Sequence, residues 1–285
     1  MPFAQSILFP VDFSPGSVLI TPAVAAMASR LNAPVTLLHA ADALRPEFEV
    51  ADVSLLAQIE RHATAKLAAF GSDGLAGLTV KRVVAPGPAA RAIVDCAAAM
   101  AEPMVMMPTR GESAFRRLLL GSVTASVLHD AGCPVWTTAH REDGGPIPTA
   151  YRSVVCAIDL GRHTVDVLRL AARFAADFGA RVQLVHSVPG IDPRFESGPA
   201  QRAHAFLVDD ARGTYPTFEQ DAGVDFGPLE VVEDVSLTEG IAAAVDRHHA
   251  DLLIIGRGVM QGVLGRLRTN AHDLIRLSRC PVLSV

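Results

Sequence analysis

Residues 7–40 read ILFPVDFSPGSVLITPAVAAMASRLNAPVTLLHA, and residues 154–187 repeat this pattern as VVCAIDLGRHTVDVLRLAARFAADFGARVQLVHS. In both stretches an apolar run ends at an aspartate, a helical pattern follows, and a second apolar run ends at a histidine. A repeat of this length indicates two copies of one folding unit. The matching residues lie 147 positions apart, namely Asp12 and Asp159, His39 and His186, and Cys133 and Cys280.

The repeat also sets the domain boundaries. The stretch 141–150, REDGGPIPTA, is rich in glycine and proline and has no apolar periodicity, which is typical of a linker. We therefore predict a first domain over residues 1–140 and a second over residues 151–285. A chain of 285 residues is long enough for two domains of ordinary size.

Strand and helix patterns alternate within each copy. The apolar run at 6–11 predicts a buried strand, and Ser14 with Pro15 predicts the N-cap and first residue of a helix. Alternation of this kind implies a mostly parallel sheet with helices on both faces, which binds ligands beyond the carboxyl ends of its strands. The other predicted strands are 34–40, 78–85, 104–108 and 134–138, and the other helices are 53–70, 88–101 and 123–131. Helix 53–70 would place Leu55, Leu56, Ile59 and Leu67 on one face.

Composition narrows the class of protein. Half of the residues are hydrophobic, 19% are charged and the net charge is −5, which favours two packed cores and argues against a nucleic-acid partner. The four cysteines include no CxxC pair and there is no HExxH motif, so we expect no metal site and no disulfide framework. No apolar stretch reaches the about 18 residues of a membrane span. We expect no membrane partner and a reducing, cytoplasmic setting.

The stretch 110–123, RGESAFRRLLLGSV, spaces Gly111 and Gly121-Ser122 by nine residues. Glycine allows the backbone to approach an anion, and the N-terminus of a helix offers free N–H groups, so Ser122, Val123 and Thr124 could hold a phosphate. The alternative is that Gly111 turns the chain and Ser122 caps a helix. Two glycines at this spacing leave both interpretations open.

Other polar residues also have two interpretations. Asp12 either contacts a ribose or base, or accepts hydrogen bonds from the turn that follows it. The arginines could neutralise phosphate charge, but solvated side chains on a loop are the favoured interpretation. His39 and His186 end buried strands, and we expect a structural role for them. The arginines in question are Arg110, Arg116 and Arg117.

Taken together, these residues resemble the universal stress protein family over nearly the whole chain. The resemblance is carried by the aspartate after the first strand, by LLHA and LVHS at the end of the second, and by a glycine signature near the fourth. The nucleotide-binding members show G-x2-G-x9-G-[ST] there, and the first copy reads Pro108-x2-Gly111-x9-Gly121-Ser122. The resemblance implies α/β architecture, with two tandem doubly wound (Rossmann-like) domains that each hold a five-stranded parallel sheet of order 3-2-1-4-5.

The resemblance also implies a site for ATP or another adenine nucleotide in the first domain, with Mg²⁺ as a candidate companion ion. Carried over by position, residues near the base and ribose are Pro10, Val11, Asp12 and Ala40. Those of the turn and the phosphates are Met107, Gly111, Gly121, Ser122, Val123 and Thr124. Pro108 departs from the family pattern, because proline fixes φ and lacks an N–H group.

The second copy departs further from the signature. Gly256 matches the first glycine, but Val259 stands at the second, and Arg268-Thr269 aligns with the Gly-Ser pair. We interpret Asp159, Gly256 and Thr269 as a degenerate second site.

The predicted function is a stress-response module that binds a nucleotide and is not an enzyme, with at most slow ATP hydrolysis. The alternative is a scaffold or signalling partner that uses the same fold without a nucleotide. Enzymes of the related α-hydrolase group carry SGGxDS or HIGH signatures, and this sequence has neither. The fifth strands could pair the two domains as an intrachain pseudo-dimer, and a homodimer of the chain is a further option.

Overall fold

The computed structural model describes residues 2–41, 53–109, 120–138, 147–190, 198–234, 236–257 and 267–285. The chain divides into two compact units, residues 2–138 and residues 139–285, called domain one and domain two below.

Domain one alternates five strands with four helices. Its strands pair in the order β3-β2-β1-β4-β5, and every pair is parallel. The elements are β1 (Ser6–Pro10), α1 (Pro15–Leu31), β2 (Val35–Ala41), α2 (Val53–Ala69), β3 (Val80–Pro86), α3 (Ala89–Ala98), β4 (Pro103–Met107), α4 (Ser122–Asp130) and β5 (Val135–Thr137).

Domain two repeats this arrangement. Its strands pair in the order β8-β7-β6-β9-β10, again all parallel. The elements are β6 (Ser153–Ala157), α5 (Thr164–Phe178), β7 (Arg181–Pro189), α6 (Pro199–Ala222), β8 (Glu230–Asp234), α7 (Leu237–Arg247), β9 (Leu252–Ile255), α8 (Leu267–Leu277) and β10 (Val282–Ser284). The predicted fold, two five-stranded parallel sheets of order 3-2-1-4-5, is confirmed.

Capping residues define both ends of α1. The hydroxyl oxygen of Ser14 accepts a hydrogen bond from the backbone N–H of Ser17, which confirms the predicted N-cap, and Pro15 follows at the first helical position. The helix ends at Leu31, and the C-cap Asn32 has a φ of 52°, which stops the right-handed helix. The turn between β1 and α1 is therefore fixed, and it lies at the carboxyl edge of the sheet.

The predicted apolar face of α2 is only partly right. Leu67 is buried against the sheet, but Leu55 is 47% exposed, and Leu56 and Ile59 are half-buried. The first turns of α2 thus leave apolar side chains facing an open space beside β2. None of the helices in the described ranges is long and apolar enough to cross a membrane.

Candidate functional site

A cavity of about 340 Å³ lies at the carboxyl edge of the domain-one sheet, between β1, β2, β4 and the first turns of α3 and α4. Its volume is within the range of small-molecule sites. Nine of the ten residues that the family resemblance assigned to a nucleotide line it: Pro10, Val11, Asp12, Ala40, Met107, Gly121, Ser122, Val123 and Thr124. The tenth, Gly111, lies outside the described residues, as do Arg110, Arg116 and Arg117.

Asp12 is held firmly by the turn that follows it. Its Oδ1 atom accepts hydrogen bonds from the Ser14 N–H at 3.0 Å, the Ser14 hydroxyl at 2.6 Å and the Ser17 hydroxyl at 2.6 Å. These bonds fit the structural interpretation of Asp12, because the carboxylate organises the start of α1. Asp12 is also exposed and lines the cavity, so one carboxylate can both fix the turn and face a ligand.

The hydrogen bonds change the acidity of this carboxyl group. Partial burial alone would raise the pKa of Asp12, but the hydrogen bonds from Ser14 and Ser17 outweigh it, and the pKa lies below its ordinary value of 3.8. The group is therefore ionised at neutral pH and is a weak base.

We expect Asp12→Asn to lower the free energy of unfolding at pH 7, and this loss to shrink as the pH falls. A carboxyl whose folded-state pKa is depressed adds stability above about pH 4, and this stability disappears as the pH drops through the folded-state pKa. Urea unfolding at pH 7 and pH 3 would measure the gap between the two proteins. In a Ser14→Ala/Ser17→Ala background the gap should be smaller, and a gap that does not depend on pH would contradict the assignment.

His39 has the structural role expected of it, but it also lines the cavity. Its Nδ1 lies 2.8 Å from the Val11 carbonyl oxygen, which can only accept, so Nδ1 carries the proton. His186 makes the same contact with the Ile158 carbonyl at 2.9 Å in domain two. The bond locks the histidine tautomer and ties the end of the second strand to the end of the first.

The N-terminus of α4 supplies hydrogen-bond donors to the cavity. Gly121 is the N-cap and has an extended conformation. Because glycine has no side chain, it makes no side-chain capping bond to the helix. The first intrahelical bond runs from the Ala125 N–H to the Gly121 carbonyl at 2.8 Å. The N–H groups of Ser122, Val123 and Thr124 precede it, so the helix offers them no acceptor of its own. Such a terminus attracts anions.

Pro108 replaces the first glycine of the signature and is packed into the fold at the end of β4. It is buried directly after β4 and lines the cavity, and its carbonyl oxygen accepts a hydrogen bond from the Thr124 hydroxyl at 3.1 Å. This bond ties the end of β4 to α4. The proline ring gives the ligand no N–H donor at this position.

Sequence reasoning missed several lining residues. Ala89 and Ile93 of α3, Leu38 of β2 and Ser17 of α1 also face the cavity. Ser17 was within reach of prediction, since it lies one helical turn after the Ser14 cap. The α3 residues were not, because their contribution depends on how α3 crosses the sheet.

The corresponding region of domain two keeps the turn. Asp159 Oδ1 accepts hydrogen bonds from the Gly161 N–H at 2.9 Å and the Thr164 hydroxyl at 3.3 Å. Gly256 follows β9, and a Cβ added there would lie 3.2 Å from Val167. Thr269 lies in the first turn of α8, and Val259 is outside the described residues.

Two substitutions change the wall that would face a base in domain two. By strand register, Ser187 takes the place that Ala40 has in domain one. On α7, Gly240 lies 147 positions after Ile93 and takes the place that Ile93 has on α3. The Ser187 hydroxyl is buried without a hydrogen-bond partner in the part of the chain that the structure describes. The apolar wall of domain one is thus replaced by a small residue and a polar group.

The donor set fits no resident metal ion. Among the described residues, no three of His, Cys, Asp and Glu come together to hold one. Among the residues that the structure describes, Asp12 is the one carboxylate that lines the cavity, and one of its oxygens is already occupied by the turn. Any Mg²⁺ here would have to arrive with the phosphates of a ligand, which is its ordinary mode of binding.

Comparison with known proteins places the chain in a family. A model described as the universal stress protein family matches residues 4–138 and, a second time, residues 150–285. No curated protein sequence matches the chain.

Solved structures agree on the fold. The chain is similar to a universal stress protein from Archaeoglobus fulgidus DSM 4304, with 18% identity, a TM-score of 0.68, and coverage of 99% of this chain and 97% of that one. It is also similar to a functionally unknown protein from Pseudomonas aeruginosa PAO1, with 16% identity, a TM-score of 0.64, and coverage of 99% and 92%. These identities show the shared fold alone. Because the family model matches twice and the two matches together span nearly the whole chain, the chain belongs to the universal stress protein family.

Proposed function

We propose that domain one binds ATP or another adenine nucleotide and that the chain works as a nucleotide-dependent module of the stress response. The observation that supports this most strongly is the convergence on one cavity of nine residues from four separate parts of the sequence. The cavity combines apolar walls, which suit a base, with the open N-terminus of α4, which suits phosphate.

The lining suggests an orientation for the nucleotide. Ala40, Ile93 and Met107 offer small or apolar surfaces for the adenine, and Asp12 offers a carboxylate oxygen for the ribose hydroxyls. The phosphates would then lie at Ser122 to Thr124. In this orientation each half of the ligand meets the chemistry that it needs.

We propose a binding role and not an enzymatic one, with at most slow ATP hydrolysis. A general base should have a pKa near the working pH. The pKa of Asp12 is shifted in the opposite direction, and its Oδ1 atom is occupied by the turn.

For domain two we propose a structural role with a degenerate site at Asp159, Gly256 and Thr269. The turn at Asp159 is retained, whereas the wall at Ser187 and Gly240 has changed character. A cytoplasmic setting is part of the proposal, in keeping with the free thiols of Cys96, Cys156 and Cys280.

The direct test is to purify the chain without added ligand, denature it, and count the released small molecules by mass spectrometry. We expect one adenine nucleotide per chain, or uptake of one added ATP per chain by titration, and a loss of either in Gly111→Val. Valine does not easily adopt the backbone conformations of glycine. Two nucleotides per chain would contradict the degenerate assignment of domain two.

The scaffold interpretation rests on Pro108. If no nucleotide is released and added ATP does not bind, the missing N–H at Pro108 becomes the leading explanation, and the scaffold role replaces the binding role. Pairing of the domains as a pseudo-dimer and a homodimer of the chain also remain proposals. Light scattering after gel filtration would distinguish one chain of 30.1 kDa from two.

A further inference from the structure

A second cavity opens beside the first one in domain one. It encloses about 970 Å³ in a wide groove between the carboxyl end of β2 and one face of α2. Asp12, His39 and Ala40 line both cavities, so the two cavities adjoin each other at the carboxyl edge of the sheet. We call the second cavity the annex. Its other walls include Phe13 and the α2 side chains Arg61, His62 and Lys66.

The annex has an aromatic wall in a strained backbone conformation. Phe13 has a φ of 63°, which costs a residue other than glycine free energy. Its ring centroid lies 4.6 Å from that of His39, and Lys66 Nζ lies 5.2 Å from the Phe13 ring centroid. The conformation thus places an aromatic face and a cation together at the junction of the two cavities.

Basic side chains also line the α2 wall of the annex. Arg61, His62 and Lys66 are exposed along its α2 wall, and among the residues that the structure describes Asp12 is the one carboxylate in its lining. Arg61 donates through Nε to the Ala57 carbonyl at 3.1 Å, which leaves its terminal nitrogens for other acceptors. A groove of this composition favours an anion that also carries an aromatic group.

Domain two shows that the fold does not require this chemistry. The residues 147 positions after Phe13, Arg61, His62 and Lys66 are Leu160, Val208, Asp209 and Gly213. Leu160 keeps the left-handed conformation, with a φ of 55°, but brings no ring, and the three basic side chains have no counterpart. The charge and the aromatic wall are therefore particular to the domain with the candidate nucleotide cavity.

We propose that the annex binds the second half of a dinucleotide, so that the ligand of domain one is a pair of nucleosides joined by phosphates. This inference rests on the proposed adenine-nucleotide site. One nucleoside occupies the first cavity with its 5′-phosphates at the N-terminus of α4, and the phosphate chain turns back past the ribose at Asp12 to reach the annex. The second base lies against Phe13, and the adjoining phosphates lie near Lys66 and Arg61.

The test compares three probes on the intact chain by calorimetry: ATP, adenosine 5′-tetraphosphate and diadenosine tetraphosphate. We expect diadenosine tetraphosphate to bind at least about tenfold more tightly than ATP, since one charge-assisted contact and one stacked base are each worth about that factor. Equal tightening by adenosine 5′-tetraphosphate would overturn the proposal, because charge without a second base would then suffice. If ATP binds and diadenosine tetraphosphate gains nothing, the annex proposal fails alone. If no probe binds, the proposed nucleotide function fails with it.

Variants locate the effect in the annex. Arg61→Ala/Lys66→Ala should reduce the affinity for diadenosine tetraphosphate to that for ATP, while the affinity for ATP changes less than about threefold. Phe13→Gly should also lower the affinity for diadenosine tetraphosphate, because glycine adopts a positive φ freely and the variant lacks the ring. The matched control is Lys81→Ala/Arg91→Ala, which removes two exposed positive charges of domain one outside both cavities. A loss of dinucleotide affinity in the control equal to that in the annex variant would overturn the proposal.

Discussion

Ser122→Asp is expected to abolish nucleotide binding by domain one while leaving the protein at least as stable as the wild type. Ser122 is an exposed residue at the first position of α4, directly after the N-cap Gly121. A carboxylate at this position interacts favourably with the helix dipole, worth about 0.3–1 kcal/mol of stability. The same carboxylate would occupy the place that we propose for the phosphates and would repel them.

The expected loss of affinity is at least about 100-fold. Each charge-assisted hydrogen bond that the phosphates lose is worth about 1.5–3 kcal/mol, and the N–H groups of Ser122 to Thr124 offer more than one such bond. Calorimetry with ATP gives the affinity, and thermal unfolding without ligand gives the stability. A drop in both quantities would indicate misfolding, and only an isolated loss of affinity supports the proposed site.

Two controls separate charge from shape. Ser122→Asn has nearly the volume of the aspartate without its charge, so it should retain most of the ATP affinity. Thr269→Asp introduces the same charge at the aligned position of domain two, in the first turn of α8. We expect it to leave binding unchanged, because domain two is proposed to be degenerate. ATP affinity in Ser122→Asp equal to that of the wild type would contradict the phosphate assignment.

Much of the candidate site follows from topology that the sequence already contains. Once strands and helices alternate in a parallel sheet, the residues at or just after the carboxyl ends of β1, β2 and β4 must meet at one edge. Pro10, Asp12, Ala40 and Met107 therefore come together although the chain separates them widely. The repeat helped as well, because a pattern that recurs 147 positions later is unlikely to reflect local chance.

The other features of the candidate site depend on helix crossing and backbone conformation, which leave no signal in a single sequence. Ile93 closes the first cavity because of the way α3 crosses the sheet, and apolar periodicity does not encode a crossing angle. Leu55 was expected on the buried face of α2, yet it lies at the rim of the annex. The positive φ of Phe13 was equally hidden, because phenylalanine rarely takes this conformation and the turn at Asp12 imposes it.

The second large effect is expected from Phe174→Ala, which should lower the free energy of unfolding of domain two by about 3–5 kcal/mol. Phe174 lies on the inner face of α5 and is fully buried. Its ring stacks on Phe178, with centroids 4.4 Å apart, and meets Tyr151 edge to face at 5.5 Å. Removing the Phe174 ring leaves a cavity and also removes the packing contacts of the Phe178 and Tyr151 rings.

Phe206 offers the matched control because it is the same residue type on another helix of the same domain. Its side chain on α6 is 66% exposed, so Phe206→Ala should change the free energy of unfolding by no more than about 0.5 kcal/mol. Urea unfolding of both variants measures the difference. If domain two has a structural role although its binding signature is degenerate, its core must be tightly packed. Removing the Phe174 ring must then lower the free energy of unfolding strongly. Equal small losses in the two variants would mean that domain two is loosely packed, and its proposed structural role would then fail.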